Sequence, residues 1–225
     1  MNTVNVNTIA RGASGAASLA SHKVLRNTYA LLAMTLLFSG AMAGLSLAMQ
    51  WPHPGLLITL VGYFGLLFLT TRFRNSALGL VFVFALTGFM GVTLGPIIGQ
   101  YLSLPGGGQI VMTAMAGTGA IFLGLSAYAL ISRRDFSFMG GFLAVGILVA
   151  FLAGIGAYLF AIPALSLAVS ALFVLLMSGL ILYQTSEIIN GGETNYIMAT
   201  VTLFVSIFNL FISLMQLLGF AGGDD

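Results

Sequence analysis

Residues 72–100 read RFRNSALGLVFVFALTGFMGVTLGPIIGQ: two arginines close together, then an apolar run from Ala77 to Gln100 without a charged side chain. About 20 consecutive apolar residues cross the roughly 30 Å hydrocarbon layer of a bilayer as an α-helix. A membrane β-strand would instead alternate polar and apolar residues over about 10 positions. This run does not alternate, so it predicts a spanning helix entered from a positively charged loop.

Similar runs lie on both sides of it. His22, Lys23 and Arg26 precede a stretch from about Asn27 to Met49, ended by Gln50 and the turn Pro52-His53-Pro54. A second runs from Gly55 to Thr71 and stops at Arg72 and Arg74; its length is near the lower bound for a span. After Ala77 to Gln100 comes the neutral turn Leu104 to Gly108, then a fourth stretch, Gln109 to Ile131, closed by Arg133, Arg134 and Asp135. Phe138 to Phe160 makes a fifth. Pro163 opens a sixth where its missing backbone donor is not needed, and this stretch runs to Ile189 before Asn190-Gly191-Gly192. The seventh covers Tyr196 to Phe220, and its Ser206, Asn209, Ser213 and Gln216 make it the least lipid-like.

The expected fold is therefore all-α: a polytopic integral membrane bundle of seven transmembrane helices. Composition agrees, with 59% hydrophobic and only 5% charged residues in a chain of 225, against about 25% charged in an average soluble domain. Residues 22–225 read as one transmembrane domain. Residues 1–21, rich in Asn, Thr, Ser, Gly and Ala, read as a flexible cytoplasmic tail without the compact apolar core of a secretory signal. There is no cysteine, which removes disulfides and thiolate chemistry.

The basic residues orient the bundle. Lys23 and Arg26 lie before the first stretch, Arg72 and Arg74 between the second and third, Arg133 and Arg134 between the fourth and fifth, and the intervening breaks have none. The positive-inside rule puts the N-terminus and these loops in the cytoplasm, and a seventh crossing would put Asp224 and Asp225 outside. Charges so dispersed form no nucleic-acid groove; the partner they imply is the lipid bilayer.

Glycine is frequent inside the apolar stretches. Gly40, Gly44 and Ala48 recur at intervals of four, as do Ala116, Ala120 and Gly124, and Gly146, Ala150 and Gly154. Small faces of this kind let membrane helices approach closely. Pro96 is a candidate kink, since it removes one donor and crowds the preceding turn; it either bends the third helix or ends it.

The polar residues best placed for chemistry are Gln184, Glu187, Glu193, Ser206 and Asn209. A carboxylate at membrane depth is expensive unless paired, hydrated or protonated. Two readings stand: Glu187 and Glu193 are solvated at the membrane edge, or they form a cation or proton mouth continued inward by Gln184, Ser206 and Asn209. Ser206 and Asn209 share a helix face, and interhelical hydrogen bonding accounts for them equally. No enzyme constellation is present: His22 and His53 fall at opposite membrane faces, and neither a zinc-protease motif nor a phosphate loop occurs. No cofactor is expected.

Three segments resemble the Bax inhibitor family, and more closely its bacterial YccA-like branch. They are His22 to Tyr29 (HKVLRNTY), Gly88 to Ile98 with Gly91, Gly95 and Pro96, and Gly191 to Tyr196. The resemblance implies six helices surrounding the last. It also implies an inner-membrane protein that associates with the membrane-anchored AAA protease FtsH and restrains its degradation of membrane substrates. The wider family implies a second activity, a pH-sensitive calcium leak governed by two aspartates. Matching its motifs places Gln184 and Ser206 at the aspartate positions, and neither titrates near neutral pH.

Overall fold

The computed structural model describes the backbone of residues 5–222 and the side chains of residues 21–222. In these residues seven α-helices follow one another: α1 (Asn5–Ala48), α2 (Leu56–Arg72), α3 (Ala77–Leu102), α4 (Gly107–Ser132), α5 (Gly140–Leu159), α6 (Pro163–Asn190) and α7 (Tyr196–Ala221). A short 3-10 turn, Ser137–Met139, leads into α5. Six of the helices are long and apolar enough to cross a membrane, α1 over Ser21–Ala48. The remaining one, α2, has 17 residues and rises about 26 Å at 1.5 Å per residue.

Helix ends follow the local chemistry. Pro163 occupies the first turn of α6. Gly191, at φ 81°, takes the left-handed conformation that closes the helix, and the Gly192 N–H returns to the Glu187 carbonyl at 2.8 Å. The expected tail of residues 1–21 differs: from Asn5 its backbone continues α1, so Ser21 is not an element boundary. Extending an existing helix adds one hydrogen bond per residue without a new nucleus, and the alanines favour it. Met1–Val4 and the acidic pair Asp224 and Asp225 lie outside the described residues.

The basic loops share one end of the bundle with the α6–α7 connection. Asn195 caps α7 by accepting from the Ile197 and Met198 N–H groups, at 3.0 and 3.1 Å. Its amide also donates to the Arg74 carbonyl (3.1 Å) and to Asn75 Oδ1 (2.8 Å), stitching the connection to the α2–α3 loop. Ser186 of α6 donates to the Arg134 carbonyl at 2.9 Å and accepts from the Phe136 N–H at 3.0 Å, which brings in the α4–α5 loop. The far end of α7 lies with the opposite connections, since Gly219 packs on Tyr101 and Gln216 bonds Ser166.

The most extensive helix packing is between α1 and α3. A Cβ at Gly91 would collide with the Ser39 carbonyl, and one at Gly95 would meet the Ala43 carbonyl at 2.8 Å; at these two positions only glycine lets the backbones approach. Pro96 lies inside the continuous helix α3, so it does not end it. Having no N–H, it leaves the Val92 carbonyl four residues back without its usual helical partner. Ser46 of α1 supplies one, donating to that carbonyl at 2.9 Å.

Of the three small-residue series expected to mediate packing, only Gly146, Ala150 and Gly154 does so: Gly146 faces Leu176, Ala150 is fully buried, and Gly154 faces Val169. Gly40, Gly44, Ala48, Ala116, Ala120 and Gly124 face outward. The packed face of α1 carries Thr35, Ser39, Ala43 and Ser46 instead. Lipid is as apolar as the protein interior, so small size alone does not select which face turns inward.

Of the six long apolar helices, α7 is the most buried, with 56% of its best spanning window inside the protein. It packs directly on α6, α4, α1 and α3, whereas α2 packs mainly on α3 and α5 on α6. Four helices are thus in direct contact with α7, and two are set further out. Phe64 of α2 and Phe151 of α5 meet edge to face, with centroids 5.8 Å apart, across that outer side.

Candidate functional site

Behind the Phe64–Phe151 contact lies a cavity of about 410 Å³ bordered by α2, α3, α5, α6 and α7. Its walls are aromatic and aliphatic, with Tyr63, Phe89 and Phe208 prominent, and its polar groups come from Thr59, Thr93 and Asn209. The Asn209 amide donates to the Val205 carbonyl at 2.8 Å, and the Thr93 hydroxyl to the Met90 carbonyl at 2.8 Å. The Thr93 hydroxyl proton and one of the two Asn209 amide protons are therefore committed to their own helices. An apolar chamber with a few fixed polar groups suits an apolar ligand better than an ion, which needs a ring of oxygens or charges.

A second concentration of polar groups sits at the basic-loop end. Gln184 is 5% exposed, and its Nε2 has no hydrogen-bond partner among the described residues. The same holds for Thr28 Oγ1 of α1 and for Ser126 Oγ and Ser132 Oγ of α4. Leaving a buried donor unpaired costs about 1–3 kcal/mol. Nearby bonds tie the helices together at this level: Tyr29 Oη and Thr185 Oγ1 are 3.4 Å apart, and Thr200 Oγ1 lies 3.3 Å from the Thr28 carbonyl.

The acids lie just beyond. Glu187 is half-buried in the last turn of α6, near enough to Asp135 and Glu193 to feel both charges. Glu193 Oε1 accepts from the Asn195 N–H at 2.7 Å, and Asp135 Oδ1 from the Ser137 N–H at 2.8 Å. The Ser137 bond favours the charged form of Asp135 and holds its pKa below the usual carboxylate range. Among the described residues no three His, Asp or Glu side chains converge to hold a metal ion.

The polar residues singled out from the sequence therefore divide. Gln184, Glu187 and Glu193 gather at the basic-loop end. Ser206 is fully buried and donates to the Thr202 carbonyl at 2.7 Å, while Asn209 opens on the separate aromatic cavity. His22 stands at the basic-loop end and His53 in the α1–α2 connection, where its Nδ1 accepts from the Gly55 N–H at 3.0 Å. Asn195 and Ser186, which organise the basic-loop end, were not anticipated. An Asn directly before the seventh apolar stretch is a capping signal, but its contact to Asn75, 120 residues away, has no local one.

Together these features define a multi-pass α-helical membrane protein built around a buried, polar-lined last helix. The chain belongs to the Bax inhibitor family: the profile described as "Inhibitor of apoptosis-promoting Bax1" matches residues 21–223. It is 50% identical over 206 residues to the "Modulator of FtsH protease YccA" of Escherichia coli K12, covering 92% of this chain and 94% of that one. An uncharacterized protein of Pseudomonas aeruginosa is 57% identical over 202 residues, 90% of this chain and 91% of its own. A membrane protein of Vibrio cholerae is 40% identical over 210 residues, 92% and 94% of the two chains.

Proposed function

We propose that this protein is a non-enzymatic modulator of the membrane-anchored protease FtsH, acting by complex formation within the bacterial inner membrane. The observation that carries this reading is the 50% identity, over nearly the full length of both chains, to the modulator from Escherichia coli. A relative of another Escherichia coli strain, equally similar, is named an inner membrane protein. The bundle forms a single domain over residues 22–225, crosses the membrane seven times, and places its N-terminal tail and basic loops in the cytoplasm and the end of α7 outside. The bonds from Asn195 to Arg74 and Asn75 support that orientation, because they give the α6–α7 connection the side of a basic loop. Contact with the protease runs through residues 1–26 or through lipid-facing helix surfaces.

Affinity capture of the tagged protein from native membranes in mild detergent tests the partner: FtsH co-purifies, and its reproducible absence would overturn the reading. A reporter fused after Asp225 tests the seventh crossing; a cytoplasmic signal would contradict it.

A leak for calcium or protons is the second reading, resting on the half-buried Glu187 carboxylate one turn from buried Gln184. The route runs from Glu193 and Glu187 past Gln184 toward Ser206 and Asn209. Calcium flux into reconstituted vesicles that is unchanged by Glu187→Gln and Ser206→Ala would sink it.

A further inference from the structure

We propose that the crevice between α1 and α4 binds an anionic glycerophospholipid, with its headgroup at His22, Lys23 and Arg26 and one acyl chain against α7. The proposal does not depend on the protease reading, although its headgroup residues fall within residues 1–26. It rests on two cavities that share one cleft.

The first, about 630 Å³, opens at the basic-loop end and is lined by His22, Lys23, Arg26, Leu25, Tyr29 and Leu130. Among the described residues its charged lining is basic, and Arg133 and Arg134 follow the end of α4 beside it. Basic pockets between helices at headgroup depth complement anionic lipid phosphates. The second, about 270 Å³, continues toward the middle of the bundle between Leu36, Gly40, Met115 and Gly119, with Phe204 and Phe208 of α7 at its floor. Tyr29 of the first cavity and Phe122 of the second touch, with ring centroids 6.0 Å apart, at their junction.

The cleft exists because α1 packs on α3, α7 and α6, and α4 on α7, α6 and α3, without extended packing between α1 and α4. Gly40 and Gly119 keep it wide: a Cβ at either would meet nothing within 4 Å. These are outward small residues that the helix packing itself leaves unused.

Length and lining select the occupant. From Tyr29 to Gly40 the helix rises about 16 Å, close to the roughly 15 Å of one leaflet's hydrocarbon. The groove walls are aromatic and aliphatic, and the Thr118 hydroxyl among them is bonded to the Ala114 carbonyl, a lining that suits a hydrocarbon chain below a charged headgroup. Lys23 and Arg26 are exposed at the mouth, where a phosphate sits when the chain below it lies in the inner half of the bilayer.

Native mass spectrometry of the purified full chain, equilibrated in mild detergent with equimolar phosphatidylglycerol and phosphatidylcholine, tests the site. The expected result is phosphatidylglycerol retained at least fivefold over phosphatidylcholine. Lys23→Gln combined with Arg26→Gln brings the ratio to parity, while the matched loss of charge Arg72→Gln with Arg74→Gln leaves it unchanged. Gly119→Leu, which fills the groove from open space, lowers retention of both lipids. Equal retention by the unmodified protein overturns the proposal. So does an equal effect of the two charge pairs, which would mean general surface attraction, and so does unchanged lipid retention by Gly119→Leu.

Discussion

Gln216 and Gln184 belong to the same pair of helices, α7 and α6, at opposite ends, and their surroundings differ. Gln216 accepts from Ser170 Oγ at 2.7 Å and donates to Ser166 Oγ, so its amide locks α7 to two successive turns of α6. Gln184 is more deeply buried, yet its Nε2 is unpartnered among the described residues. The contrast extends across each half of the bundle. Away from the basic loops, Gly95 seals α3 on α1 and Ser46 answers the carbonyl that Pro96 leaves free. Among the described residues, the four buried polar atoms that lack partners lie beside the basic loops, on α1, α4 and α6; crevices occur at both ends, two at the start of α1 and one beside Gln216. A half with its hydrogen bonds fully assigned has one arrangement; a half with spare donors has several of similar energy.

The largest way to break this contrast is to force the sealed half open. Gly95→Leu drives a side chain into the Ala43 carbonyl and Ser46, at 2.8 and 2.7 Å from its first carbon. A loss of about 3 kcal/mol is expected from overpacking, read as a lowered unfolding midpoint in mild detergent. Gly124→Leu on α4 meets nothing within 4 Å, and its effect stays within about 0.5 kcal/mol. Equal effects of the two substitutions would remove the distinction between a closed and an open half.

Next in size is Gln216→Leu. Hydrogen bonds between membrane helices average about 0.6 kcal/mol and reach about 1.7. Two bonds from one amide place the expected loss near 1 kcal/mol. Ser166→Ala combined with Ser170→Ala should cost a similar amount, and adding Gln216→Leu to that pair should cost little more. Full additivity would show that the three side chains do not act together.

These elements were unequally legible in the sequence. Helix limits were, because Pro163, the Asn190-Gly191-Gly192 stop and the paired arginines are local signals with local causes. Which face of each helix turns inward was not. A soluble helix announces its buried face by a polar opposite face, but in lipid both faces are apolar, so the period of four through Gly40 and Gly44 pointed to a surface that stays open. The α3 glycines were visible in the sequence, but their contacts to Ser39 and Ala43 were not. Polar side chains in the last two helices stood out at once, and Gln184, Glu187 and Glu193 do gather at one end. Their partners were invisible because Gln216 with Ser166, or Asn195 with Asn75, are matched only by the folded chain.

Gln184→Leu isolates the open half. Replacing an unpaired buried amide by an apolar side chain of similar volume removes a desolvation cost and forfeits no fixed Nε2 bond. Stability should hold or rise by up to about 1 kcal/mol, opposite in sign to Gln216→Leu. A loss as large as that of Gln216→Leu would mean that Gln184 has a partner in the membrane, and the two ends of the α6–α7 pair would then be alike.

The smallest expected effect concerns Asp135, where the α4–α5 loop meets α6. Its carboxylate accepts from the Ser137 backbone and side chain, which holds its folded-state pKa below the ordinary carboxylate value. The sign follows from linkage: the unfolded chain takes up this proton first, so the stabilisation is complete at neutral pH and fades as pH falls below about 4. Asp135→Asn should lower the unfolding midpoint slightly at neutral pH, and the difference from the unmodified protein should shrink toward about pH 2. A difference that stays constant with pH would mean that the charged form gains nothing from the loop. The Ser186 bonds to Arg134 and Phe136 would then hold that loop to α6 without help from Asp135.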